Sequence, residues 1–164
     1  MVTDPEKYLL GLTTTDPDIL QELAKHPDKF IRARVASNKH SPIKTLRALS
    51  TDSDFGVRAS VALNEKTPSS LLARMITRAL RSDDTSSIVS SALANNPHTP
   101  PMFLEHLFVQ STSWGVRIGL AGNPSTPQNI LKKLSELPKE KTSNLEDNNR
   151  EIREIAKMRL GEKH

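Results

Sequence analysis

The chain of 164 residues contains no cysteine, and only 4% of its residues are aromatic. Without cysteine it cannot form a disulfide framework, a thiolate zinc site, an iron–sulfur cluster or a cysteine nucleophile. No segment approaches the roughly 20 apolar residues that span a bilayer, and the first residues, MVTDPEKYLLGL, do not resemble a secretory signal. We therefore expect a cytoplasmic protein with no membrane partner and a core of Leu, Ile, Val and Ala.

The usual motifs of catalytic and metal sites are also missing. The sequence has no HExxH, no glycine-rich phosphate loop and no nucleophile elbow. His40 and His98 take the same place in two turns that we expect to lie roughly 20 Å apart, too far to share a metal. Glu105 and His106 are adjacent on a predicted helix, so their side chains diverge by roughly 100°. We expect no enzyme activity, no metal and no cofactor.

The positive charge is modest and uneven. The formal net charge is +4, with 13 Lys/Arg and 9 Asp/Glu in residues 1–82 and 10 of each in residues 83–164. A dedicated nucleic-acid-binding domain usually has a denser basic stripe.

Proline, in contrast, is abundant, with 11 residues, and five prolines recur at nearly even spacing. They stand at 17, 42, 68, 100 and 127, and the last four end the motifs NKHSP, NEKTP, NPHTP and NPSTP. Ser, Thr or Asp before Pro is typical of a helix N-cap followed by the first helical residue. We predict a helix at each position, the A helix, with the N-caps Asp16, Ser41, Thr67, Thr99 and Thr126.

A second helix of about nine residues, the B helix, is predicted in each unit. Its pattern is an apolar residue, usually Arg, two residues and another apolar residue, as in Val57-Arg58 to Val61 and Val116-Arg117 to Leu120. Residues that favour N-caps precede it: Asp28, Asp54, Ser86, Ser113 and Asn149. Asn38, Asn64, Asn96 and Asn123 fall just past its end, where Asn tolerates the left-handed conformation that closes a helix.

These patterns predict one all-α domain over residues 1–164, an α-solenoid of about five two-helix repeats. A lone B helix covers 4–13, with Lys7 in the Arg column and Leu10 in the apolar column. The repeats follow at about 14–38, 39–64, 65–96, 97–123 and 124–160, with longer loops at 81–87 and 138–148, the second flexible. Stacked units would form a curved rod on the order of 50 Å long.

The pattern resembles the leucine-rich repeat variant family, a relative of HEAT-like helical repeats. VRASVALNEKTPSSL (57–71) and VRIGLAGNPSTPQNI (116–130) show the resemblance most clearly. It implies a right-handed superhelix whose second helix is α or partly 3₁₀. The iron–sulfur cluster associated with some members is not expected, because this chain has no cysteine.

Two interpretations of the Arg column, Arg32, Arg58, Arg117 and Arg153, remain open. Asp28 and Asp54 lie four residues before Arg32 and Arg58, which favours structural ion pairs within and between units. Arg117 and Arg153 have no Asp in that register and are freer for a ligand. Trp114 begins a B helix in a mostly polar column with Phe55, which suggests that both are exposed and that Trp114 is a protein-binding anchor. The alternative is that Trp114 covers the flank of the next repeat.

We expect a non-enzymatic scaffold that binds an unidentified protein or peptide, acidic or mixed in charge, through a pre-formed surface. The predicted contact residues are Arg117, Trp114, Phe55, Arg58 and Arg153. The alternative is nucleic-acid binding, with phosphates held by Lys25, Lys29, Arg32, Arg34, Lys39 and Arg47. The scarcity of aromatic residues for base stacking disfavours this alternative.

Overall fold

The structure is a computed structural model that describes residues 4–81, 87–138 and 148–161. Within these ranges it contains eleven helices and no strand, so the all-α prediction is confirmed. The helices are α1 (Pro5–Thr13), α2 (Pro17–Leu23), α3 (Lys29–Ser37), α4 (Ile43–Leu49), α5 (Phe55–Leu63), α6 (Ser69–Arg81), α7 (Ser87–Asn95), α8 (Pro101–Gln110), α9 (Trp114–Gly122), α10 (Gln128–Ser135) and α11 (Asn148–Leu160). Most of the two predicted long loops lies outside the described residues.

The odd-numbered B helices pack against one another in chain order. Helix α3 contacts α1 and α5, α7 contacts α5 and α9, and α9 contacts α11. Helices α3, α5, α7 and α9 are nine residues long, as predicted, and are α-helical rather than 3₁₀. The even-numbered A helices lie against them; α4, for example, contacts both α3 and α5.

The predicted apolar columns form one continuous core. The first apolar position of every B helix after α1 is buried: Ile31, Val57, Val89, Val116 and Ile152. Buried leucines of the A helices, including Leu20, Leu46 and Leu104, belong to the same cluster. The spacing of three and four residues therefore identified the core-facing side of these helices.

The hydroxyl groups before the prolines connect each B helix to the next A helix. Asp16 caps α2 as predicted. The capping prediction is wrong for Ser41, Thr99 and Thr126, because α4, α8 and α10 begin after a proline N-cap without a side-chain capping bond. These hydroxyls and that of Thr67 instead donate to the carbonyl six residues earlier, at 2.5–2.7 Å. An unpaired buried carbonyl would cost about 1–3 kcal/mol. The start of the A helix has less need of a capping oxygen, because proline has no N–H group. The hydroxyl therefore contributes more as a donor to the carbonyl than as a cap.

The asparagines past the B helices join successive units. The left-handed conformation predicted for them is wrong, since Asn38, Asn64 and Asn123 have φ near −70°. Each side chain lies buried and donates from Nδ2 to carbonyls at the C-terminal end of the preceding B helix; Asn64, for example, donates to Ala36 and Asn38. Each Oδ1 accepts the N–H two residues later, as from Lys66. We call the four residues Asn38, Asn64, Asn96 and Asn123 the asparagine ladder.

The ladder corrects the register of the first unit and agrees with the register predicted for the last. Asn38 donates to the carbonyls of Gly11, Leu12 and Thr14, which places Tyr8 in the Arg column and Gly11 in the apolar column. The prediction of Lys7 and Leu10 is therefore off by one residue. At the other end Arg159 occupies the asparagine position and donates to the carbonyls of Ala121, Asn123 and Pro124.

The predicted N-caps of the B helices are confirmed in part. Asp28 and Asp54 accept N–H groups of the first turns of α3 and α5. Ser113 precedes α9 but makes no side-chain capping bond. Asn149 lies inside α11 and donates to the Pro138 carbonyl, so its prediction as an N-cap is wrong. Ser86 lies outside the described residues.

Candidate interaction surface

Three members of the Arg column donate to backbone carbonyls that follow the preceding A helix. Nη1 of Arg32 donates to the carbonyls of His26 and Pro27, and Nη1 of Arg58 donates to those of Asp52 and Ser53, all at 2.8–2.9 Å. Arg153 donates in the same way to Leu137 and Pro138 at 3.3 Å. Arg58 is buried. These contacts support the structural interpretation of the column.

Arg32 also links its unit to the next one. Its Nε and Nη2 donate to the two carboxylate oxygens of Asp52 at 2.7 and 2.9 Å, a bidentate pair that is mostly buried. Burial by itself would raise the pKa of Asp52, but the hydrogen bonds from Arg32 and from the Asp54 N–H outweigh it and hold that pKa below its ordinary value. The carboxylate that pairs with Arg32 here is therefore Asp52 of the following unit.

Arg117 differs from the other arginines of the column. Its Nε is buried and has no hydrogen-bond partner in the described part of the chain, while the side chain as a whole is partly exposed. Arg117 therefore stays a candidate contact residue, whereas Arg58 and Arg153 are occupied in the fold.

Trp114 and Phe55 are exposed, as predicted, at the first residues of α9 and α5. The structure adds Phe30 and Ile88, the second residues of α3 and α7. All four side chains are between 44% and 51% exposed. Because the asparagine ladder joins the C-terminal ends of these helices, their N-terminal ends also lie side by side. We call Phe30, Phe55, Ile88 and Trp114 the apolar row. Sequence reasoning missed two members because it compared only the first helical residue of each unit.

An open cavity of about 390 Å³ adjoins the apolar row, and it lies over α7 between α5 and α9. Ile88 of the row lines it, together with Ala59, Leu63, Ser91, Ser113 and Gly115. Its floor is shallow because the B-helix faces here consist largely of small residues. Such a surface fits the side chains of a polypeptide better than it encloses a small molecule.

Three of the six residues predicted for phosphate contacts have partners within the chain, and the other three are exposed. Arg32 forms an ion pair with Asp52, and Lys29 forms one with Asp54 at 3.0 Å. The Cζ atom of Arg34 lies 4.4 Å from the centre of the Tyr8 ring, and the guanidinium group donates to the Tyr8 hydroxyl. The side chains of Lys25, Lys39 and Arg47 are exposed. The structure adds exposed Lys44, Arg74 and Arg78 on α4 and α6. The segment SSLLARMITRALR contains no Asp or Glu, and this feature of the sequence could have pointed to Arg74 and Arg78.

Among the residues described, no cluster of His, Asp or Glu could hold a metal ion, and no helix combines the length and apolar character needed to cross a membrane. No protein-family model matches the chain, and neither a curated protein nor a solved structure matches it.

Proposed function

We propose that this chain is a right-handed solenoid of helical repeats, similar to the leucine-rich repeat variant family, that acts as a non-enzymatic scaffold for protein–protein interaction. The repeated connections support the solenoid: Ser or Thr joins each B helix from α3 to α9 to the next A helix, and Asn or Arg joins successive B helices. Connections of the same kind would relate each unit to the next by the same rotation and translation, which is the geometry of a solenoid.

The apolar row is the observation on which the proposed function depends. Four large apolar side chains are exposed at the ends of four neighbouring helices, and one of them, Ile88, lines an open cavity. Exposed apolar residues grouped in this way favour protein binding. In this proposal Trp114 and Phe55 are the anchors, and Arg117 adds a polar contact at the edge. Nucleic-acid binding has less support, since three of its six predicted contacts already have partners within the chain.

A peptide-display selection tests this proposal. Random peptides of about 12 residues are selected against the chain, and we expect apolar or aromatic sequences with micromolar Kd. Because Trp114 is the only tryptophan, its fluorescence reports contact directly, and the emission should shift to the blue. Binding should survive about 200 mM salt, since it depends on apolar contacts.

The matched variants are Trp114→Ala and Val109→Ala, since Val109 is an exposed apolar residue of α8 outside the row. We expect Trp114→Ala to weaken the selected peptides about tenfold or more and Val109→Ala to leave them unchanged. Peptides that bind Trp114→Ala and Phe55→Ala as tightly as the original chain would show that the apolar row is not the binding surface.

A further inference from the structure

The positive charge of the chain is concentrated in one segment. Residues 39–81 contain eight Lys/Arg and three Asp/Glu, whereas the other residues contain 15 and 16. The net positive charge of the molecule therefore comes entirely from the segment that includes α4, α5 and α6.

The carboxylates of this segment are largely neutralised. Asp52 is paired with Arg32 and Asp54 with Lys29, both bases from α3. Helices α4 and α6 contain no Asp or Glu, and their exposed side chains include Lys44, Arg47, Arg74 and Arg78. We call these four residues the basic face.

The turns before α4 and α6 place these helices in equivalent positions. Ser41 donates to the Val35 carbonyl before α4, and Thr67 donates to the Val61 carbonyl before α6. The asparagines that precede them make the same contacts to the previous unit. Because the two turns have the same hydrogen bonds, α4 and α6 leave parallel, adjacent B helices in the same direction. Equivalent starts of this kind would place the exposed residues of both helices, and with them the four cations, on one side of the molecule.

We propose that the basic face is a second binding surface, separate from the apolar row, and that it binds an acidic segment of a protein. Arg74 and Arg78 are four residues apart, roughly 6 Å along the helix axis, and alternate side chains of an extended chain repeat at about 7 Å. The carboxylates of an acidic segment therefore match the spacing of positive charge on the face, and Lys44, Arg47 and Arg74 are the expected contacts. Neither α4 nor α6 contains an aromatic residue, so the face offers no platform for stacked bases.

Fluorescence anisotropy tests this proposal with a labelled peptide of about 12 residues in which Glu alternates with Ser. At about 50 mM salt we expect micromolar binding that weakens several-fold at about 200 mM. The double variant Arg47→Glu/Arg74→Glu should lose about tenfold or more in affinity. The peptide with Gln in place of Glu should not bind. Trp114→Ala should leave the affinity unchanged, so this test does not depend on the apolar row.

The matched control is Lys132→Glu/Lys133→Glu, which makes the same charge change at exposed residues of α10. Equal loss in both double variants would show unspecific attraction and overturn the proposal, as would the absence of peptide binding at low salt. A DNA duplex of about 20 base pairs is titrated in parallel. Tighter binding of the duplex, lost in Arg47→Glu/Arg74→Glu, would assign the face to nucleic acid instead. Circular dichroism confirms that each variant is folded.

Discussion

Asp52 shows how one carboxylate holds two units together. Its oxygens accept Nε and Nη2 of Arg32 from the preceding B helix and the N–H of Asp54 in its own turn. Arg32 in turn donates to two carbonyls of the preceding turn. A buried pair with this many hydrogen bonds costs far more to break than an exposed ion pair.

Asp52→Asn should lower the free energy of unfolding by about 1–3 kcal/mol near pH 7, because it leaves Arg32 without its counter-ion. The folded pKa of Asp52 is lowered, so its contribution is present above the unfolded pKa of about 3.9 and is lost as the pH falls through the folded value. The difference between the two proteins should therefore shrink below about pH 4. Urea unfolding at a series of pH values measures it, and a difference that does not change with pH would contradict the assignment.

Between helices, the closest approach of α7 and α9 depends on glycine. A Cβ on Gly115 would lie 2.3 Å from Oγ of Ser91, and one on Gly119 would lie 2.7 Å from Nδ2 of Asn95 and 3.1 Å from the Cβ of Ala94. A Cβ on Gly122, at the end of the same helix, would meet nothing within 4 Å. The Ser91 hydroxyl can rotate away from a methyl group at position 115, whereas the Cβ of Ala94 cannot move away from one at position 119 without a shift of the helix. Gly119 is therefore the glycine of α9 that the packing against α7 favours most.

We expect Gly119→Ala to be less stable than Gly122→Ala by about 1–3 kcal/mol. Alanine also raises helix propensity, by about 0.5–1 kcal/mol in the interior of a helix. This gain is larger at Gly119 than at the terminal Gly122, so the measured difference is a lower bound on the steric cost at α7. Denaturant unfolding of the two variants and the original chain provides the measurement. Equal stability of the two variants would mean that α7 and α9 adjust to the added methyl group without cost.

The sequence predicted the elements well because their signals are local. Apolar residues at spacings of three and four identified the helices, and Asp16, Asp28 and Asp54 cap the expected helices. The roles of Ser41 and Asn64 were not predictable by the same rules. Local rules predict that Ser41 caps the next helix and that Asn64 closes its own helix. In the folded chain Ser41 instead donates to the Val35 carbonyl and Asn64 to the Ala36 carbonyl. These carbonyls become available only when whole units pack together.

The candidate site was predicted to a smaller extent. The exposure of Trp114 and Phe55 followed from their polar column and is confirmed; their binding role stays a prediction. Phe30 and Ile88 join them only because neighbouring B helices are aligned end to end, which no pattern in one unit reveals. The hydrogen bonds from Arg58 to the carbonyls of Asp52 and Ser53 likewise depend on the path of the backbone, which the residue pattern does not reveal.

At the scale of the described molecule, the asparagine ladder connects the ends of successive B helices. The carbonyls of Asn38, Asn64 and Asn96 each accept the side chain of the next ladder residue, and the Asn123 carbonyl accepts Arg159. Helix α11 contacts α9 and α10. A defect at the last junction should therefore act locally, whereas a defect in the middle should divide the core.

Arg159→Ala should raise amide hydrogen exchange in α11 and the helices it touches, and leave α3 and α5 protected. Asn64→Ala removes two buried donors and one acceptor, and should lower the overall free energy of unfolding by about 2–4 kcal/mol. Arg150→Ala is the matched control, since Arg150 is an exposed residue of α11 whose Nε donates to Glu154; its exchange should resemble that of the original chain. Exchange measured by mass spectrometry separates these patterns. If Arg159→Ala raised exchange equally from α1 to α11, the helices would open together as one cooperative unit. The prediction that a defect at the last junction acts locally would then be wrong.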